Sequence, residues 1–140
     1  MARTAQIAQE ISVLMPVIAR RILLSLFQSM EIPQTQLFTI ITLFEQEPCR
    51  LSELSRQLGI SAPTTTGLVD RLELGGYAKR LADKEDRRAV SVVLTAKGRR
   101  IAKTFRATVQ ARWYELLRNL SAEDQENYLR LLKKIREAVT

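Results

Sequence analysis

Asp83-Lys84-Glu85-Asp86-Arg87-Arg88 is the longest unbroken run of charge in the chain, and three cations on one short polar segment can grip phosphates. Upstream, Ser61, Pro63, Thr64, Thr66, Gly67 and Arg71 bring hydroxyls, a missing side chain and a guanidinium to one stretch. Threonine can donate or accept at a base edge or offer a methyl to thymine, and arginine can reach a guanine or a phosphate. This is the chemistry of recognition. Catalysis has less to work with, because the absence of histidine removes the commonest general base, the usual triad partner and the usual zinc ligand. No recognisable polar constellation replaces it, so no enzyme is expected and no cofactor or metal is implied.

The placement of charge points the same way. The formal net charge is +7, and residues 50–106 hold all of it, with 13 Lys and Arg against 6 Asp and Glu. A basic centre between near-neutral flanks is the layout of a polyanion-binding module held by a separate scaffold; the alternative is a solvated basic surface with no partner. At 140 residues the chain is read as one domain, 1–140. Cys49 is the only cysteine, and no apolar run has the flanks of a signal peptide or the length of a membrane span. A cytoplasmic protein with no membrane partner is the expectation. Without a second Cys or a His near it, Cys49 reads as structural despite its neighbour Arg50.

The elements that must position these residues follow from periodicity. Ile7, Ile11, Leu14, Ile18, Ile22, Leu26 and Met30 define one helical stripe, bent by Pro16 and broken at Ile32-Pro33. A second helix runs from about Thr35 through Phe44 and stops at Glu47-Pro48. Residues 51–58 form a short amphipathic helix, Gly59 supplies its left-handed stop, and Ser61 caps the next helix, which carries Pro63 in its first turn and ends at Gly75-Gly76. Two short helices joined by a tight turn make a helix-turn-helix. Tyr77–Ala82 and Ala89–Leu94 read as strands around the charged tip, a wing, with Leu51 as a very short third strand. Thr95 caps a long helix, and Ser121 restarts a last one bearing Leu129, Leu132, Ile135 and Val139. The fold class is therefore mainly α with a small β-hairpin wing. The reading head spans about 35–95, and striped helices at 1–32 and 96–140 need a partner: they could pack against each other within one chain, but interlocking with a second copy explains them better.

On the recognition helix, Thr65, Leu68, Val69 and Leu72 fall on the side that should face the core at 100° per residue. Pro63, Thr66, Gly67 and Asp70, with Thr64 and Arg71 at the margin, would face a major groove. Gly67 would let the backbone approach DNA, and Ser52 offers a hydroxyl to a phosphate at a helix N-terminus. Thr64 and Thr66 could instead bond the local backbone. Asp70 fits better as the holder of a neighbouring arginine. Lys84, Arg87 and one of Lys79 or Arg80 are the candidate phosphate contacts.

The stretch L-S-E-L-S-R-Q-L-G-I-S-A-P-T-T-T-G-L-V-D-R-L-E-L-G-G-Y, then D-K-E-D-R-R, then L-T-A-K-G at Leu94–Gly98, resembles the multiple antibiotic resistance regulator (MarR) family. The resemblance implies a homodimer of winged helix-turn-helix modules, built from the N- and C-terminal helices, that regulates transcription by binding a pseudo-palindromic double-stranded DNA site, as a ligand-responsive repressor. By the family's Asp-x-Arg pattern, Arg88 would enter the minor groove and Asp86 would orient its guanidinium. A pocket for a small aromatic or phenolic ligand is implied too, with Arg20 or Arg21 near its anionic group. Readings outside this one are a non-specific architectural DNA binder and a winged-helix protein-interaction module.

Overall fold

A computed structural model describes residues 1–139. Six helices and three short strands follow in the order α1 (Ala2–Gln28), α2 (Gln34–Gln46), β1 (Cys49–Arg50), α3 (Leu51–Leu58), α4 (Ala62–Leu74), β2 (Ala78–Ala82), β3 (Val90–Leu94), α5 (Ala96–Leu117) and α6 (Ala122–Val139). The strands form one antiparallel sheet in the order β1-β3-β2. Among the described residues no helix is long and apolar enough to cross a membrane. The chain divides into two compact units, Met1–Arg106 and the residues from Ala107 on.

Local chemistry explains most boundaries. Pro16 lies inside α1 without ending it. Pro48 disfavours a helical Glu47, which is extended at φ −81° and ψ 145°. Gly59 stops α3 at φ 65°, where a side chain would be strained, and the Ile60 N–H then donates back to the Ser55 carbonyl. Both long strands are one residue shorter than the pattern suggests. Tyr77 spends its N–H on the Leu72 carbonyl, closing the end of α4, and Ala89 spends its own on the Asp86 carbonyl. The third strand is Cys49–Arg50, not Leu51; Arg50 pairs with Ser91, and Leu51 already opens α3 with its side chain against the core.

The first unit has a continuous apolar centre. Ile40 and Leu43 of α2, Leu54 of α3, Val69 and Leu72 of α4, and Val92 and Leu94 of β3 are all essentially sealed from solvent. At the C-terminal end of α1 Leu26 is buried, and the Phe27 ring meets Phe38 of α2 edge-on at 5.3 Å and stacks with Phe105 of α5 at 6.4 Å. The wing-to-α5 junction is tightly built. The Thr95 hydroxyl donates to the Gly76 carbonyl and accepts from the Gly98 N–H, and Lys97 Nζ donates to the Gly75 carbonyl while lying over the Tyr77 ring. A side chain at Gly98 would collide with the Tyr77 carbonyl, which explains the glycine.

The second unit contains the end of α5 and α6. Ser121 caps α6 by accepting from the Asp124 N–H, Gln125 Nε2 donates to the Leu117 and Leu120 carbonyls, and the rings of Trp113 and Tyr128 lie 5.9 Å apart. No residue of α6 is buried.

Candidate nucleic-acid interface

A part-buried polar relay ties α3 to α4. Ser55 Oγ and Thr65 Oγ1 lie 2.8 Å apart, and Thr65, fully buried, donates to the Ser61 carbonyl at 2.9 Å. Ser61 accepts from the Thr64 N–H at 3.3 Å as N-cap. Thr65, Leu68, Val69 and Leu72 are buried, so the helix is rotated about its axis as the periodicity predicts. Pro63, Thr64, Thr66, Asp70 and Arg71 are exposed on the other side. Gly67 sits among them with no atom within 4 Å of where a Cβ would lie. Ser52 is exposed in the first turn of α3.

The threonine hydroxyls are engaged locally. Thr66 Oγ1 donates to the Ala62 carbonyl at 3.0 Å, and Thr64 Oγ1 shares a hydrogen bond with Ser61 Oγ at 2.8 Å. In this state Thr66 offers a base edge its lone pairs and methyl, not its proton.

In the wing, Lys84, Arg87 and Arg88 are exposed. Asp86 Oδ1 accepts from the backbone N–H of Arg88 at 2.9 Å, so the contact between these two residues runs through the main chain, not the guanidinium. Beneath them lies Asp83, which receives the Glu85 and Asp86 N–H groups, the Ser91 hydroxyl and the Arg50 guanidinium. Arg50 above all, and then the two amides, hold this carboxyl well below the usual carboxylate range. Arg80 on β2 fastens the wing to α4: it pairs with Asp70 at 2.7 Å and with Glu73, and reaches the Thr66 carbonyl at 3.4 Å. Asp70 thus holds an arginine, and Arg80 is occupied by carboxylates, leaving Lys79 the exposed cation of that strand. Cys49 is buried in β1, and burial pushes its thiol pKa up, away from a reactive thiolate.

The sequence model of the MarR family matches residues 32–90, which run from the approach to α2 through the helix-turn-helix to the start of β3. The same order of elements extends over nearly the whole chain in a solved MarR family protein from Bacillus stearothermophilus, 25% identical, with 96% of each chain covered and a TM-score of 0.88. The chain belongs to the MarR family. The HTH-type transcriptional regulator YfiV of Bacillus subtilis is 32% identical over 67% of this chain, which spans 57% of that relative's length. Streptococcus pneumoniae FabT, solved in complex with DNA, is 22% identical, with 95% of this chain and 99% of that one covered and a TM-score of 0.75.

Within this MarR-family head, local sequence rules miss the residues that tie its parts together. Arg50 and Asp83 are 33 positions apart, and Glu47, which accepts from the Leu94 N–H at 2.8 Å and from Arg99, acts across 47 and 52 positions. Periodicity has no access to such pairs. The one available signal is the extra carboxylate at Asp83, ahead of the Asp-x-Arg pattern.

Proposed function

We propose that the chain is a sequence-specific double-stranded-DNA-binding transcription regulator that reads a pseudo-palindromic operator as a homodimer and acts in the cytoplasm as a ligand-responsive repressor, without a catalytic step. The observation that carries this reading is the presence, on one head, of two exposed polar elements, the outer face of α4 and the 83–88 tip, with β2 of the wing fastened to α4 by Arg80. The complex of FabT with DNA supports it. In this reading residues 35–95 read DNA, while 1–32 and 96–140 dimerise.

Ser61, Pro63, Thr64, Thr66, Gly67 and Arg71 meet the major groove, with Thr64 and Thr66 presenting methyls and lone pairs. Ser52, Lys84 and Arg87 contact phosphate, and Arg88 enters the minor groove from a backbone position set by Asp86. A small aromatic or phenolic ligand modulates binding. Arg20 and Arg21, exposed on α1, are the candidates for its anionic group. The expected pocket lies between the terminal helices and the head; the open cleft of about 340 Å³ between α2, α3 and α4, lined by Phe38 and Leu58 among threonines, is within the size range of small-molecule sites, but neither arginine lines it.

The test is selection of bound DNA from a random pool, followed by salt titrations. The expected product is an inverted repeat with half-sites about 10 base pairs apart and A·T-rich positions under the wings. Equal affinity for random DNA would identify an architectural binder instead. Lys84→Ala should weaken binding to every sequence and lower the salt slope by about one for each phosphate left without its cation, whereas Arg88→Ala should erase the advantage of A·T-rich flanks. For the ligand, aromatic carboxylates at millimolar levels should raise Tm and weaken DNA binding; no change in either would remove that part of the reading.

A further inference from the structure

Arg50 is a cation at the foot of the wing, and its position alone would make it a phosphate ligand. Its geometry directs it inward. Nε donates to Asp83 Oδ2 at 2.9 Å and Nη2 to Oδ1 at 3.3 Å, a two-point fork on a carboxylate whose side chain is 11% exposed. A further approach, Nη2 to Glu85 at 3.9 Å, involves a freely solvated partner and adds little. The Arg50 backbone is also held, paired with Ser91 in the sheet one residue before α3 begins. From Asp83 the connection continues to the tip. Asp83 accepts from the Asp86 N–H at 3.0 Å, and Asp86 accepts from the Arg88 N–H at 2.9 Å. An unbroken path of hydrogen bonds therefore joins the start of α3 to the backbone of Arg88.

We propose that Arg50 is a positioning residue for groove reading: through Asp83 it sets where the wing presents Arg88, and it does not itself contact DNA. This rests on the assignment of Arg88 to the minor groove. Residues 83–89 lie beyond the paired strands, so without an anchor the tip would have to be ordered on binding, and prior order reduces that cost. Lysine cannot substitute, because a single ammonium lacks the planar fork that grips both carboxylate oxygens.

The experiment measures binding of the full chain to its selected site and to the same site with G·C flanks, together with the salt slope on random DNA. The variants are Arg50→Lys, Asp83→Asn, Arg88→Ala and the Arg50→Lys/Arg88→Ala pair. Arg50→Lys should lose roughly threefold to tenfold of the flank preference with its salt slope unchanged, and no further loss should follow when it is added to Arg88→Ala. Asp83→Asn is the sharper arm. Removing a negative charge should favour DNA by electrostatics alone, yet positioning requires that flank preference fall. If Arg50→Lys and Asp83→Asn both keep the preference, or if the effects of Arg50→Lys and Arg88→Ala simply add, Arg50 does not act through Arg88 and the inference is overturned. If Arg88→Ala itself leaves flank preference intact, the groove assignment has failed and takes the inference with it. Melting curves for each variant separate loss of fold from loss of position.

Discussion

The reading head and the terminal helices carry similar apolar stripes and meet opposite fates. Leu37, Ile40, Leu43 and Leu54 are sealed in the head, while Ile11 and Leu14 of α1 and Leu132 and Ile135 of α6 are between 41% and 58% exposed. A stripe specifies a face but not what covers it. In the head the cover comes from α2, α3, α4 and the sheet, all within about 60 residues of one another. On α6 no side chain is buried, and so much apolar surface in contact with water marks an association face. The head should therefore be self-sufficient and the helices conditional on a second copy.

The largest effect tests the conditional side. Leu132→Glu with Ile135→Glu should leave a folded head by circular dichroism but a monomer by light scattering at micromolar concentration. Operator affinity should then fall by roughly 10² to 10⁴, the gain that linking two binding modules provides. A dimer with both substitutions in place would mean that α6 is not the interface. The second test makes the same change in both regions. Leu54→Ala, at a site with no exposure, should cost about 2–5 kcal/mol in urea unfolding whatever the protein concentration. Leu129→Ala on α6 should instead give a loss that shrinks as concentration rises, because mass action restores the dimer.

These contrasts follow how much is legible without the fold. The caps at Ser61 and Thr95, the stop at Gly59 and the buried side of α4 depend on neighbours within a turn or two, and all lie where local rules put them. The straps Arg50–Asp83, Arg80–Asp70 and Glu47–Arg99 depend on which distant backbones the packing brings together. That is why the family resemblance implies a contact between Asp86 and the guanidinium, while in the structure its carboxylate holds the Arg88 amide and Asp83 does the anchoring. Most of the fold and the exposed face of α4 are legible in the sequence; the scaffold of the wing is not.

A third prediction separates stability from recognition inside the head. Gly67 has open space where a Cβ would point, and glycine in a helix interior costs about 1 kcal/mol relative to alanine. Gly67→Ala should raise stability by up to about 1 kcal/mol while weakening operator binding, because the new methyl occupies the surface where DNA approaches. If stability rises and binding is unchanged, the backbone at this position does not come close to DNA.

The smallest effect is a pH dependence confined to acid. Asp83 is held well below the ordinary carboxylate range, first by the Arg50 fork and then by the Glu85 and Asp86 amides. The unfolded chain therefore binds this proton more readily than the folded one, and stability rises with pH wherever that difference operates. The stabilising contribution of Asp83 is complete above the unfolded pKa of about 3.9 and is lost as pH falls from there through the lower folded value. The stability difference between the native chain and Asp83→Asn should be flat from about pH 8 to pH 5 and should narrow below about pH 4. Urea titrations of both proteins across that range make the comparison. Arg50→Gln supplies the control: with the guanidinium gone, the largest cause of the low pKa is removed, so the acid-side loss should still begin near the unfolded pKa but should be smaller and level off at a higher pH. Were the size of the loss and the pH at which it levels off the same in Arg50→Gln and the native chain, the amides alone would be holding the carboxylate, and the fork would contribute orientation without charge stabilisation.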